Sequence, residues 1–184
     1  AVSLWGLTQG MEDNLQYLQA ALIILFFSGL KDDIIALSPM KKLGTQIIAT
    51  AITVFGQGIL INNFHGLFGI ETIPLWLSYV LTLFTIIVIT NSFNLIDGVD
   101  GLAGGIGLIT SVTFGLWFYS IDQIAWSVLA FGLTGSLLGF LVFNFNPAKI
   151  FMGDAGSLCT GFLLSIFAIK FIQFNGPEAV TVDK

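Results

Sequence analysis

Six long, nearly unbroken runs of apolar residues dominate the chain, and short polar segments separate them. A helix that crosses a hydrocarbon layer of about 30 Å needs roughly 20 mostly apolar residues, because each residue adds about 1.5 Å. All six runs approach that length, and none contains a proline. The pattern therefore predicts a single transmembrane domain over residues 1–184 with six spans: Leu15–Leu30, Leu43–Ile61, Leu75–Phe93, Leu102–Ser120, Ile124–Phe143 and Ser157–Phe174.

Composition supports the same class. Of the 184 residues, 55% are hydrophobic and only 9% are charged, and the mean hydropathy is +0.94. A soluble domain usually carries about 25% charged residues. The single cysteine excludes a disulfide within this chain and any metal cage built of cysteines. We therefore expect an all-α, polytopic helical bundle in a membrane.

The lysines of the loops are distributed unevenly between the two sides of the predicted bundle. Successive spans alternate in direction, so the loops sort into two groups. One group contains Lys31, Lys41, Lys42 and Lys149, whereas the loops between spans on the other side contain no Lys or Arg. The positive-inside rule predicts that the lysine-bearing side faces the cytoplasm.

The same side carries a set of carboxylates, and every connection on that side contributes at least one. Ionisable groups in or near a membrane are costly and usually functional. A transporter tends to place such groups near the bilayer midplane, whereas these lie at the ends of the spans. The acids of this side are Asp32, Asp33, Asp97, Asp100 and Asp154.

The segment "FNLIDGVDGLAGG" places Asn94, Asp97 and Asp100 at successive intervals of three residues. On a helix this spacing makes an oxygen-rich strip, which suits a hard cation such as Mg²⁺. The alternative is a pair of tight turns in which Gly98 and Gly101 supply a positive φ. The residues of this stretch alone leave both interpretations open.

The segment "NPAKIFMGDAGS" precedes the last span. Asp and Ser are favoured helix N-caps, so Asp154 or Ser157 is predicted to cap that helix. A helix N-terminus also attracts anions, which would allow a phosphate held there to share a metal with Asp154.

The segment "GLKDDIIALSPMKKLGTQ" joins the first two spans. Adjacent Asp32 and Asp33 cannot both point the same way on a helix, so one is expected to handle a proton or phosphate while the other orients a lysine or a backbone amide. Lys41 or Lys42 would supply positive charge, although lysine at a cytoplasmic helix end is also ordinary usage.

The glycine-rich run "GLAGGIG" matches neither the dinucleotide-binding nor the P-loop pattern. Gly101, Gly105 and the pair Gly135 and Gly139 are instead predicted to allow close packing of helices.

Together, "GLKDDIIALSPMKKLGTQ", "NSFNLIDGVDGLAGG" and "NPAKIFMGDAGSLCTGFLL" resemble, in order, three motifs of the polyprenyl-phosphate N-acetylhexosamine-1-phosphate transferases. These membrane enzymes include the undecaprenyl-phosphate GlcNAc-1-phosphate transferases and the translocase that makes lipid I. The second and third motifs look closer to the GlcNAc-1-phosphate branch.

The resemblance implies transfer of a sugar 1-phosphate from a UDP-sugar to a polyprenyl phosphate, with release of UMP. It implies Mg²⁺, with Mn²⁺ as an alternative, and a site on the cytoplasmic face of a bacterial inner membrane. The implied partners are the UDP-sugar, the polyprenyl phosphate and the bilayer. No nucleic acid is implied, and a homodimer is consistent with the resemblance.

Carried over residue by residue, the resemblance makes Asn94 and Asp154 the metal ligands. It makes Asp32 and Asp33 the acidic pair that handles the acceptor phosphate, with the choice between base and nucleophile left open.

In the central motif the resemblance assigns Asp97 and Asp100 to positioning the donor and balancing the charge of the site. Lys42 matches the lysine that pairs with phosphate, and Lys41 is the second choice.

Members of this family usually have about ten or eleven spans and a His-rich cytoplasmic loop that contains Arg. The present chain offers six spans, one His and no Arg, so we expect a fragment, with a short paralogue as the alternative. Other classes consistent with the spans are a cation-coupled transporter and an inactive membrane fragment.

Overall fold

The computed structural model describes residues 15–66, 69 and 71–175, so the two ends of the domain predicted over residues 1–184 lie outside the described residues. This part of the chain forms six α-helices, each overlapping one predicted span. The helices are α1 (Leu15–Ile34), α2 (Pro39–Gln57), α3 (Leu75–Ile96), α4 (Leu102–Ser120), α5 (Ile124–Asn144) and α6 (Gly153–Phe174). Within the described residues the only extended pairing is one isolated antiparallel bridge, between Asn63 and Thr72.

Helix α2 departs most from its predicted bounds, since it begins four residues before Leu43 and ends four residues before Ile61. Ser38 precedes it in an extended conformation and proline occupies its first turn, where the fixed φ of that residue suits a helix start. Gly58, with a φ of 69°, ends it in the left-handed region. Both signals are present in the sequence, but the apolar run alone does not locate them.

The polarity of the bundle is that of a membrane protein. Large apolar side chains point outward along the helices; Phe27, Phe84, Ile109 and Val142 are each more than 60% exposed. Hydroxyl side chains are buried between helices, as in membrane bundles where small polar residues mediate packing. The buried set is Ser28, Thr50, Thr53, Ser78, Thr82, Thr90, Ser111, Ser127, Thr134, Ser157, Thr160 and Ser165.

Helices α3, α4, α5 and α6 are long and apolar enough to cross a membrane. Helix α1 has 20 residues, but its last turn carries Lys31, Asp32 and Asp33, which shortens its apolar part. The all-α, polytopic membrane class is therefore confirmed, whereas crossing of the bilayer by α1 and α2 stays a prediction.

Helix α6 lies against α1 and α3 at distances that only glycine permits. A Cβ atom added to Gly29 of α1 would lie 2.5 Å from the Cα of Ala155, and one added to Gly161 of α6 would lie 2.7 Å from the Cβ of Phe93. These approaches bring the start of α6 beside the ends of α1 and α3.

The glycines predicted to allow packing are for the most part different ones. A Cβ added to Gly105, Gly135 or Gly139 would meet no atom within 4 Å, so the prediction is wrong for these three. A Cβ added to Gly101 would lie 3.4 Å from Cδ2 of Phe145, so this glycine does face a neighbour. The closest contacts between α4 and α5 occur instead at a different set: Gly104, Gly107 and Gly115.

Candidate active site

Lys42 occupies the centre of a polar cluster at one end of the bundle. Its Nζ lies 3.1 Å from Oδ2 of Asp32 and 2.8 Å from Oδ2 of Asp154, and it donates a hydrogen bond of 3.3 Å to Oδ1 of Asn94. These four residues, which we call the Lys42 cluster, come from α2, α1, α6 and α3 respectively. We call this end of the bundle the acidic end. Four helices thus contribute one polar side chain each to a single point.

The amide of Asn94 links α3 to α6. Its Nδ2 donates hydrogen bonds to Oδ1 of Asp154 and, at 2.7 Å, to Oγ of Ser157. Ser157 is fully buried, four residues after the start of α6. The sequence marked Ser157 only as a helix cap, whereas the structure places its hydroxyl against Asn94.

Asp33 caps helix α6 from outside that helix. Its Oδ1 accepts the backbone N–H of Asp154 at 2.8 Å and its Oδ2 accepts that of Ala155 at 3.2 Å. The prediction that Asp154 or Ser157 is the cap is therefore wrong, since no side chain of the helix's own N-cap position bonds there. A carboxylate at this position also interacts favourably with the helix dipole.

The adjacent acids of α1 accordingly have different partners, as their divergent directions on a helix require. Asp33 orients backbone amides, whereas Asp32 pairs with Lys42 and accepts the backbone N–H of Leu37 at 2.6 Å. Both acids lie beyond the predicted end of the first span.

Asp32 and Lys42 remain charged over a wide pH range. Interaction with the Asp154 side chain, the hydrogen bond from the Leu37 N–H and the ammonium of Lys42 lower the pKa of Asp32 to about 2. Partial burial opposes the charged form of Lys42, but hydrogen bonds to Asp154 and Asp32 outweigh it and raise the lysine's pKa. The positive charge at the centre of the site is therefore held by the carboxylates around it.

Asp97 follows the last residue of α3 and faces the start of α6. Burial raises the pKa of its carboxyl, as do the nearby charges of Asp154 and Asp33, while a hydrogen bond from the Gly153 N–H partly offsets these effects. Asp97 is thus an acid placed against two other acids, an arrangement that is common at functional sites.

Asp100 does not lie on a helical strip with Asn94, so that interpretation of "FNLIDGVDG" is wrong. Helix α3 ends at Ile96, and the chain turns before α4 begins at Leu102. Of the two glycines in the turn interpretation, Gly101 has the positive φ, of 71°, and Gly98 does not. The carboxylate of Asp100 instead accepts the backbone N–H of Ala148 at 3.0 Å.

Asn144 is a residue that sequence reasoning missed. It is 2% exposed at the end of α5; its Oδ1 accepts the N–H of Gly101 at 3.0 Å, and its Nδ2 donates to the carbonyl of Ile150 at 2.8 Å. Together with the bond between Asp100 and Ala148, it fastens the segment before α6 to the turn before α4. The sequence signal that could have identified Asn144 is its position as a polar residue at the end of an apolar run.

Lys41 takes no part in the cluster. Its side chain is exposed, and within the described residues Lys42 alone forms ion pairs with these acids. The structure therefore places Lys42, the first choice from the sequence, at the position that needs positive charge.

The oxygens of the cluster suit a hard cation shared with a substrate. In the described part of the chain, no group of three or more His, Cys, Asp or Glu side chains forms a metal cage. Oxygens of Asp32, Asn94 and Asp154 do converge on the Lys42 ammonium. Mg²⁺ typically takes one or two protein oxygens and completes its shell with water and phosphate, so this donor set fits it. Asn94 and Asp154, which touch each other, are the residues that could hold it.

Most of the chain matches a known family of proteins. Residues 15–172 match the family described as Glycosyl transferase family 4. The chain belongs to this family. The matched range contains every residue of the Lys42 cluster, together with Asp33, Asp97 and Asp100.

Two similar curated proteins come from bacilli. One, from Bacillus subtilis (strain 168), is named a probable undecaprenyl-phosphate N-acetylglucosaminyl 1-phosphate transferase; it is 37% identical over 86% of this chain and 44% of its own length. Another, from Bacillus mycoides (strain KBAB4), is a phospho-N-acetylmuramoyl-pentapeptide-transferase, 37% identical over 74% of this chain and 43% of its own. The chain thus spans less than half the length of these curated relatives.

Proposed function

We propose that the protein transfers a sugar 1-phosphate, GlcNAc-1-phosphate in the first instance, from a UDP-sugar to undecaprenyl phosphate in cell-envelope polysaccharide or cell-wall synthesis. The observation that carries the proposal is the Lys42 cluster, in which one ammonium and three oxygen-bearing side chains converge where four helices end or begin. Membership of the family and the names of the relatives point to the same chemistry.

In the proposed reaction an oxygen of the acceptor phosphate attacks the phosphorus that bears the sugar. The bond from that phosphorus to the oxygen of UMP breaks, so that the products are UMP and a lipid-linked diphosphate sugar. Such reactions depend mainly on positioning and on neutralisation of charge. Any proton on the attacking phosphate is removed by a carboxylate. Asp32 and Asp154 are both ion-paired with Lys42, and Asp32 would take this role while Asp154 holds the metal.

Bound Mg²⁺, or Mn²⁺ in its place, supplies Lewis-acid polarisation of the diphosphate. Asn94 and Asp154 would hold it, and Lys42 would then exchange carboxylate contacts for phosphate oxygens. The carboxylates of Asp32 and Asp154 hold the ammonium at the site, so it is in place when a phosphate arrives.

The remaining acids act around this centre. Asp33 fixes the first turn of α6 and with it Asp154, and Asp100 fixes the segment before α6. Asp97, placed against Asp154 and Asp33, lies where it could position the donor.

The lysines support a cytoplasmic location for the acidic end. Lys31, Lys41, Lys42 and Lys149 belong to the end of α1, the start of α2 and the segment before α6. A bacterial inner membrane with the acidic end toward the cytoplasm satisfies the positive-inside rule and gives access to UDP-sugars.

A second candidate is formation of lipid I, in which the donor carries phospho-N-acetylmuramoyl-pentapeptide. Relatives with that name match the chain at the same 37% identity as the GlcNAc-1-phosphate relative. A cation-coupled transporter is disfavoured because the five acids of the acidic end lie at the ends of helices or between them.

The test uses the complete protein, purified in detergent, with undecaprenyl phosphate and either UDP-GlcNAc or UDP-MurNAc-pentapeptide, and measures UMP. We expect release with UDP-GlcNAc that requires Mg²⁺ or Mn²⁺ and stops on addition of EDTA. Release with only the pentapeptide donor would establish the second candidate. No metal-dependent UMP with either donor would contradict both.

A further inference from the structure

A second layer of polar side chains lies one helical turn deeper in the bundle than the Lys42 cluster. Its main element is a reciprocal amide pair between α2 and α3. Gln46 donates to Oδ1 of Asn91 at 3.2 Å, and Asn91 donates to Oε1 of Gln46 at 2.6 Å and to the carbonyl of Ile87 at 2.8 Å. Gln46 is only 2% exposed.

The pair lies in helical register with two residues of the cluster. Gln46 follows Lys42 by four positions on α2, and Asn91 precedes Asn94 by three positions on α3. Residues three or four apart share one face of a helix. The two amides therefore join α2 and α3 directly beneath the hydrogen bond between Lys42 and Asn94.

A pair of hydroxyls repeats this relationship between α1 and α2. Oγ of Ser28 and Oγ1 of Thr45 lie 2.7 Å apart, and Thr45 also bonds the carbonyl of Lys42 at 2.8 Å. Ser28 precedes Asp32 by four positions. The three helices that carry Asp32, Lys42 and Asn94 are thus each tied to a neighbour one turn below the site.

Two reciprocal hydrogen bonds fix the position of α2 against α3 more strictly than an apolar contact can. Sliding or rotating either helix would break both bonds and leave the amides of buried Gln46 and partly buried Asn91 without partners, which is unfavourable inside the bundle. Apolar side chains at these positions would also fill the space but would tolerate a shift. A displacement of about 1 Å near reacting groups can lower turnover about 100-fold.

We propose that Gln46 and Asn91 are positioning residues for the transfer reaction, setting the register of α2 against α3 so that Lys42 meets Asn94 and Asp154. This inference rests on the proposed function for its kinetic consequence. Its geometric part, the fixed register of the two helices, does not.

The kinetic test compares the complete wild-type enzyme with Gln46→Leu, Asn91→Leu and the exchanged pair Gln46→Asn with Asn91→Gln. We expect each leucine variant to lose about tenfold in kcat with KM for donor and acceptor within about twofold, because substrate-binding groups remain. The exchanged pair restores two amides facing each other and should recover most of kcat.

A matched control lies between α4 and α5, away from the cluster. Oγ1 of Thr134 donates to Oγ of Ser111 at 2.9 Å, and both residues are buried. Thr134→Val removes a buried hydrogen bond between two helices, which is the same kind of bond that a leucine variant of the amide pair removes. We expect it to lower the thermal midpoint as a leucine variant does while leaving kcat unchanged. An equal loss of kcat in this control, or no recovery in the exchanged pair, would overturn the kinetic part.

A distance measurement separates failure of the inference from failure of the proposed function. Spin labels on exposed Met40 of α2 and Leu95 of α3, in a Cys159→Ala background, report the spacing of the two helices without any substrate. We expect a narrow distance distribution in the otherwise unchanged protein and a broader or shifted one with Gln46→Leu. An unchanged distribution overturns the inference, whatever reaction the enzyme performs.

Discussion

The ammonium of Lys42 lies 2.8 Å from Oδ2 of Asp154, which joins the first turn of α2 to the first turn of α6. The same ammonium reaches Asp32 on α1 and Asn94 on α3. A single positive charge thus holds together oxygens from three helices besides its own. In the proposed reaction, that charge is the one available to an incoming phosphate.

Replacing Lys42 by methionine should impair both folding and turnover. Asp32 and Asp154 would then face each other without a cation; because both are partly exposed, we expect a loss of only about 1–2 kcal/mol in unfolding free energy. Thermal unfolding in detergent should show a midpoint lower by about 2–6 °C. Turnover should fall at least about 100-fold. Lys41→Met, at an exposed position, is the control and should change neither.

Replacement of Asp33 distinguishes two roles of its carboxylate, capping of α6 and direct contact with substrate. Asp33→Ala removes the acceptor of two N–H groups at the start of α6 and should cost about 1 kcal/mol in unfolding free energy. Asp33→Asn keeps one acceptor oxygen and should retain turnover within about tenfold of the wild type, since asparagine is also a good N-cap. An asparagine variant as inactive as the alanine variant would mean that the carboxylate itself touches substrate.

The close approach of α3 and α6 at Gly161 should be essential for the site. A methyl group there would lie 2.7 Å from the Cβ of Phe93 and 3.1 Å from the backbone of Thr90, so Gly161→Ala should destabilise by about 1–3 kcal/mol and separate Asn94 from α6. Thermal unfolding and UMP release check both effects. Gly135→Ala, where the methyl meets nothing within 4 Å, should leave both unchanged. Equal losses in the two variants would argue against this packing.

Asp97→Asn should stabilise the fold while lowering turnover. The folded-state pKa of Asp97 is raised above its ordinary value by burial and by the charges of Asp154 and Asp33, so the folded protein loses stability as pH rises through that interval. At pH 7 the variant, which carries no charge there, should melt about 1–3 °C higher than the wild type. The difference should shrink as the pH falls through that interval and the wild-type carboxyl becomes protonated. A lower midpoint for the variant at pH 7 would contradict this assignment.

The number and order of the helices follow from the sequence because each apolar run is long, free of proline and bounded by polar turns. The bounds follow less well. Helix α2 begins at Pro39 because a proline suits a first turn, and α6 begins at Gly153 because Asp33, from another helix, caps it. The first signal is local and readable, whereas the second depends on a contact between distant parts of the chain.

The membership of the site was also predictable, but its internal contacts were not. The alternation of the spans placed Asp32, Lys42 and Asp154 on one side of the bundle. The family resemblance selected Lys42 over Lys41 and added Asn94, and the structure joins these four residues. Spacing could not show that Asp100 binds the backbone of the segment before α6, because that contact depends on the path of the chain after α5.

Glycine motifs gave the least reliable prediction. The sequence does not distinguish Gly161, which lies against α3, from Gly135, which faces open space, because helical spacing alone does not specify which face meets a neighbour.

The most direct test of the central claim is Mg²⁺-dependent UMP release by the complete protein carrying Asp154→Asn. The matched control is Asp122→Asn, an exposed acid between α4 and α5 with a φ of 58°, which asparagine also tolerates. We predict wild-type release from the control within about twofold and a loss of at least about 100-fold for Asp154→Asn. Turnover of Asp154→Asn within about tenfold of the wild type at saturating Mg²⁺ would contradict an active site built around Lys42 and Asp154.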